Sequence, residues 1–121
     1  ATPTTGLVYR LSELYFIRAE AALKSGNTTL ALDDINRIRR RAGLLDVSSL
    51  NIDNILAEKR KEFVFENKYF FDLMRNHKNI VRTNGCISTD CNMTYPNNRF
   101  VPPIPMKSIE VNASIKQNPG Y

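Results

Sequence analysis

LVYRLSELYFIRAEAALKSGNTTLALDDINRIRRRAGL, residues 7–44, holds two helical patterns either side of a glycine turn. The first predicts a helix over about residues 7–25. Leu7, Leu11, Leu14, Tyr15, Ile17, Ala21 and Ala22 recur at intervals of mostly three and four. Arg10, Glu13, Glu20 and Lys24 fall largely on the other side, and Glu20 with Lys24 makes a favourable i,i+4 pair. Gly26 stands where a left-handed cap residue is expected. The second pattern predicts a helix over about 29–42. Asn27 or Thr28 can cap it by accepting from a free backbone N–H. Asp33 and Asp34 precede the run Arg39-Arg40-Arg41, the charge order that the helix dipole favours. Leu32, Ile35, Ile38 and Ala42 form the apolar stripe, Ala31 allows close approach, and Gly43 stops the helix. A connection of about three residues between two such helices predicts an antiparallel helical hairpin.

Outward from this hairpin the chain stays helical for one more stretch and then loses its period. A third helix is expected over 52–66, capped by Asn51 or Asp53, with Ile52, Ile55, Leu56 and Phe63 facing a core. A bend near Asn67 leads to a fourth helix over 69–76, in which Leu73 faces inward. Residues 78–99 are rich in Asn, Ser and Thr, hold both cysteines, and read as an irregular loop. The tail, 100–121, has four prolines, which exclude one regular helix or a central strand. It is expected to lie extended, with a short turn near Lys107–Glu110. Its Ile104, Ile109, Val111 and Ile115 would cover an aromatic cluster of Phe63, Phe65, Phe70 and Phe71. The fold class is therefore all-α: a helical hairpin, further helices and an irregular proline-containing tail.

Composition narrows the function classes. At 121 residues the chain has room for one domain. No apolar run approaches the roughly 20 residues of a membrane-spanning helix. The net charge of +5 is spread along the sequence and comes with no zinc spacing or RNA-binding signature, so no nucleic-acid partner is indicated. Glu58, Glu62 and Glu66 stack on one helix face. The positions three residues after each are Lys61, Phe65 and Tyr69 rather than His, so a di-metal carboxylate motif is missing. Ion pairing with Lys59, Arg60, Lys61 and a neighbouring helix is the expected role. His77, the sole histidine, has no nucleophile or orienting carboxylate nominated beside it and is expected near a helix C-terminus. Neither a phosphate-binding glycine loop nor a GxSxG elbow occurs. No catalytic residue, metal site or cofactor follows from the sequence.

Ala19, Ala22, Gly26, Ala31, Ile35, Ile38 and Gly43 fall near the framework spacing of a tetratricopeptide repeat. Only one such unit is visible, and a single repeat cannot bury its hydrophobic face alone. The expectation is that the chain belongs to something larger. Its opening residues, ATPTTG, lack the basic start and apolar middle of a secretory signal.

Five segments in order carry a more specific likeness: RLSELYFIRAEAALKSGN (10–27), ALDDINRIRRRAGL (31–44), ILAEKRKEFVFENKYFFDLMR (55–75), FVPPIP (100–105) and QNPGY (117–121). Together they resemble the C-terminal region of the SusD/RagB family over nearly the whole chain. These are lipid-anchored outer-membrane proteins of Bacteroidetes. They bind glycans or peptides outside the cell and hand them to a SusC-like TonB-dependent transporter. The resemblance implies a non-enzymatic, surface-exposed binding protein at the cell outer membrane. It implies a remaining N-terminal part of the same polypeptide, and a lipid anchor not present in this chain. Where the family usually has Gly and then Arg after Phe65-Glu66, this sequence has Asn67 and Tyr69. Asn tolerates a left-handed backbone, so the bend should survive, whereas Tyr69 removes a cation from the local polar network.

In a cell-surface protein the oxidising route favours a Cys86–Cys91 disulfide over free thiols or a metal site, to which only His77 and Asp90 could contribute further ligands. The same loop holds Asn92, Tyr95, Asn97, Asn98 and Arg99. Aromatic faces stack on sugar rings, and amides and guanidinium groups hydrogen-bond hydroxyls, so these residues are ligand-binding candidates by their chemistry, beside the plainer reading of a polar surface loop; the resemblance itself implies a ligand site built mostly from segments preceding this region and carries no ligand residue over. The ligand implied is an oligosaccharide or a peptide. The alternative function is a tetratricopeptide-like protein–protein interaction module, or a peptide receptor without glycan affinity.

Overall fold

The computed structural model describes residues 9–87 and 91–121. The chain divides between Asn67 and Lys68 into two compact units. The first holds three helices, α1 (Leu11–Lys24), α2 (Thr28–Arg41) and α3 (Ile52–Glu62). The second holds α4 (Tyr69–Arg75), a two-stranded ladder of β1 (Ile80–Val81) and β2 (Asn92–Met93), a 3-10 turn at Asn98–Phe100, and α5 (Met106–Val111). The protein is thus mostly helical. No described helix is long and apolar enough to cross a membrane. Leu7, the ATPTTG opening and Asp90 lie outside the described residues.

In the first unit α1 and α2 pack against each other as a hairpin, with α3 against α1. Asn27 caps α2 by accepting from Leu30 N at 3.2 Å, and Gly26 turns the chain at φ +84°, a region that a Cβ disfavours. Asn51 caps α3 in a reciprocal box with Asn54, at 2.8 and 3.1 Å. The core is Phe16, Ala19, Ala22, Ala31, Ile35, Ile38, Ile55 and Phe63. Phe16, fully buried, meets Phe63 edge-on at 5.6 Å.

The buried face of α1 differs from the expected one. Leu11, Leu14 and Ile17 are exposed, as is Ala21, while Phe16, Ala19 and Ala22 turn inward. α1 is apolar around much of its circumference, so periodicity could not select a face. The small side chains did, because Ala19 and Ala22 against Ala31 let the two backbones approach. Ala42, assigned to the stripe of α2, is also exposed.

α3 ends at Glu62, four residues earlier than expected. Phe65 and Asn67 have φ of +65° and +54°, which a helix cannot accommodate. Asn67 therefore keeps the left-handed bend. Phe65, expected in the core, is fully exposed, and Phe71 and Val111 are exposed as well. The expected irregular loop contains the β1–β2 ladder, with Ile80 opposite Met93 and Val81 opposite Asn92. Two residues per strand are too few to show a period. In the tail the turn expected near Lys107–Glu110 is a six-residue helix, α5, with no buried residue.

The first unit is also tied by ions. The arginine run that ends α2 reaches the acidic face of α3: Arg39 pairs with Glu58, and Arg41 with Glu62 at 2.6 Å. Arg40 pairs with Asp46. Arg10 reaches Glu62 and Glu66, at 3.4 and 2.5 Å, and lies over the Phe63 ring. The stacked glutamates are thus a structural clamp. Burial pushes the Glu62 carboxyl up, but the Arg41 hydrogen bond and the charges of Arg41 and Arg10 outweigh it and hold the group below its ordinary value.

Candidate functional site

The second unit is organised around a chain of rings. Phe71 meets Phe70 edge-on at 5.5 Å, and Phe70 stacks on Phe100 at 6.2 Å. Phe100 meets Tyr95 edge-on at 5.5 Å, and Tyr95 stacks on His77 at 4.5 Å with 10° between planes. α4 supplies the first two rings. Its C-terminal turn supplies His77, which closes the helix at φ +54° by donating its N–H to Met74 O. Tyr95 is aligned by donating its N–H to Asn79 Oδ1 at 2.8 Å. One face of Tyr95 is therefore occupied by His77, whose imidazole is itself exposed.

Beside this array lies an open concavity of about 700 Å3, lined by Met74, Tyr95, Pro96, Asn97, Asn98, Arg99, Phe100, Val101 and Gly120. The sequence candidates Tyr95, Asn97, Asn98 and Arg99 come together on its wall. Asn92 does not: it sits on β2, with its Oδ1 accepting from Arg82 N at 3.3 Å. Asn97 Oδ1 accepts from Arg99 N at 2.9 Å and opens the 3-10 turn. Asn98 and Arg99 are exposed. Cys86 and Cys91 are disulfide-bonded across the end of the ladder.

Sequence reasoning missed Pro96, Phe100 and Val101 beside the candidates, and Met74 and Gly120 far from them, as lining residues. The signal for Gly120 was the QNPGY ending, whose side chains sew the tail onto the FVPPIP segment. Gln117 Oε1 accepts from Ile104 N at 2.8 Å, and Gln117 Nε2 donates to Ile104 O at 2.9 Å. Asn118 Nδ2 donates to Pro102 O at 2.8 Å. A Cβ on Gly120 would stand 3.1 Å from Asn98 Cβ, so glycine there admits Asn98 to the wall. The terminal motif thus shapes the concavity it helps to line. Among the described residues no cluster of three or more His, Cys, Asp or Glu could hold a metal ion.

Known proteins place this architecture. Over 94% of the chain, 30% of residues are identical to the starch-binding protein SusD of Bacteroides thetaiotaomicron, of which the match spans 21%. A SusD superfamily protein of Bacteroides vulgatus superposes with a TM-score of 0.80 at 36% identity, over 96% of this chain and 28% of that one. A putative sugar binding protein of the same species gives 0.79 at 31% identity, over 94% and 28%. The chain therefore spans between about a fifth and a third of the length of these relatives. The sequence pattern of the SusD family matches residues 2–121, and the chain belongs to that family.

Proposed function

We propose that this chain is the C-terminal region of a non-catalytic receptor that captures nutrient oligomers, most simply glycans, at the bacterial outer membrane. The receptor delivers them to a SusC-like TonB-dependent transporter. The observation that carries the reading is the family match over residues 2–121, alongside relatives described as starch-binding and sugar-binding. The concavity of the second unit has matching chemistry: amides and a guanidinium for hydroxyls, with Tyr95 and Met74 for the apolar face of a sugar ring.

Two features agree with a longer polypeptide. The relatives are several times the length of this chain. The outer face of α1 also leaves Leu11, Leu14 and Ile17 bare, a stripe that preceding helices of the same polypeptide would cover, as stacked repeats require. A lipid anchor in that preceding part would hold the protein at the surface.

Isothermal titration of the full-length protein against oligosaccharide and peptide panels tests the function. Saturable binding of an oligosaccharide is expected. Binding confined to peptides, or to the transporter alone, would replace the glycan reading with the interaction-module one.

A further inference from the structure

The segment joining α2 to α3 is fixed at three points, yet it displays polar groups that bond to nothing. Asn36, buried on α2, donates Nδ2 to Val47 O at 3.0 Å and accepts from Val47 N at 2.9 Å. Arg39 Nε donates to Leu45 O at 2.8 Å, and Arg40 holds both carboxylate oxygens of Asp46. Between this segment and α3 lies a cavity of about 460 Å3, within the range of ligand pockets. Ile35, Val47 and Leu50 supply its apolar lining, and Val47 and Leu50 also pack on the core. Asn54, Glu58 and Lys61 supply one wall from a single face of α3, with the small Ala57 among them. The hydrogen bonds leave a mixed set unused among the described residues. Asn54 Oδ1 accepts from Asn51 N at 3.1 Å, so its Nδ2 is left to donate. Glu58 Oε1 takes both Arg39 and, at 3.3 Å, Lys61, so its Oε2 is left to accept. Lys61 spends one of three protons there, and the Ser48 and Ser49 hydroxyls have no partner among the described residues.

We propose that this cavity is a second carbohydrate site, one that takes a neutral sugar ring. The inference rests on the glycan-binding reading and adds a contact within the first unit. A sugar hydroxyl both donates and accepts, so neighbouring hydroxyls call for a donor and an acceptor side by side. Lys61 and Glu58 Oε2 provide that pair for a vicinal diol, and Asn54 Nδ2 with the two serines serves the hydroxyls beyond it. Val47 and Leu50 take the C–H face of the ring. Charge selects against ions of either sign. An anion would meet the carboxylates of Asp46 and Glu58, and a cation would meet Lys61 and the guanidinium groups that already pair with those carboxylates. The loop is held before any ligand arrives, so binding has little ordering to offset.

The test is titration of the full-length protein with neutral hexasaccharides of glucose, mannose, xylose and galactose, read by calorimetry and by NMR of the Val47 and Leu50 methyl groups. At least one hexasaccharide should shift both methyl signals saturably. Ala57→Trp, at an exposed position of α3, fills the cavity and should abolish the shifts. Lys61→Met removes a charged donor from an exposed side chain and should weaken the same titration about tenfold. Thermal melting checks that each variant folds. If Ala57→Trp does not fold, Lys61→Met decides alone, and an unchanged affinity there overturns the inference. A hexasaccharide that binds by calorimetry but leaves the Val47 and Leu50 signals in place also overturns it, with the glycan reading left standing. So do shifts that survive Ala57→Trp, which would come from a distant site, and shifts produced only by galacturonic acid hexamer or hexalysine. Failure of every hexasaccharide to bind overturns both readings.

Discussion

Gln117→Ala removes the stitch that holds the tail. The side chain accepts from Ile104 N and Asn118 N and donates to Ile104 O, at 2.8, 2.9 and 2.9 Å. A neutral hydrogen bond contributes about 1 kcal/mol net. The site is only part-buried, so water recovers some of the three, and the expected loss is about 2 kcal/mol. That loss should be local, because α5 buries no residue and no residue of 102–121 belongs to the buried core. At about 1.4 kcal/mol per tenfold, the tail should open roughly 30-fold more often. Native-state hydrogen exchange reads this directly: the Ile104 amide should exchange about 30-fold faster, while amides of α1 and α2 keep their protection. Lys116→Ala, at an exposed neighbour, should change neither. An Ile104 amide that exchanges at the native rate in Gln117→Ala would refute the stitch, since water would then serve as well as the amide.

Phe16→Ala empties the centre of the first unit and should cost about 3–5 kcal/mol in denaturant unfolding; a loss below about 1 kcal/mol would mean that the Phe16–Phe63 contact is not the core. Glu62 is held below its ordinary value of 4.5, so its ionised form stabilises the fold above that pH and the contribution disappears as pH falls through the lowered value. Glu62→Gln should therefore be less stable than the native chain at neutral pH, and the gap should close as pH falls below 4.5 and through the lowered value; a gap independent of pH would contradict the ion clamp. Thiol titration of the denatured, unreduced chain should find no free cysteine, and two after reduction. Reduction itself should cost less than the roughly 3 kcal/mol of a 15-residue loop, because only residues 87–90 are enclosed. A melting temperature that collapses on reduction would give the bond a larger role.

What could be read from the sequence was set by local chemistry. Asn27, Asn51 and Gly26 act through neighbours within four residues, and each does in the fold what its pattern implied. The Arg39-Arg40-Arg41 run signalled a helix end, but its partners Glu58, Asp46 and Glu62 are set by packing. The face of α1 was illegible because both of its sides are apolar, and the choice lay with the partner helix. The site followed the same division. Tyr95, Asn97, Asn98 and Arg99 are nearly consecutive, so one turn gathers them, whereas Met74 and Gly120 arrive from α4 and the chain's end. The stack of His77 on Tyr95 joins residues eighteen apart and leaves no mark on either segment.

Phe65 is the position where this chain is least consistent with itself. It is an aromatic residue at φ +65°, fully exposed. A bulky side chain in the left-handed region costs about 1–2 kcal/mol, and exposure returns nothing. Asn67, two residues on, takes a similar φ with a side chain that tolerates it. If preceding helices of a longer polypeptide cover Phe65, burial would contribute about 1.5–3 kcal/mol and offset the strain. The two cases give Phe65→Asn opposite signs. In the 121-residue chain the substitution should stabilise by about 1 kcal/mol, through relief at φ +65°. In the full-length protein it should destabilise by about 0.5–2 kcal/mol, because the apolar burial lost exceeds the strain relieved. Paired denaturant titrations of both lengths measure the two changes. Stabilisation in both would mean that nothing covers Phe65 and that the exposed flank of the first unit is a finished surface, and destabilisation in both would mean that φ +65° carries no strain to relieve.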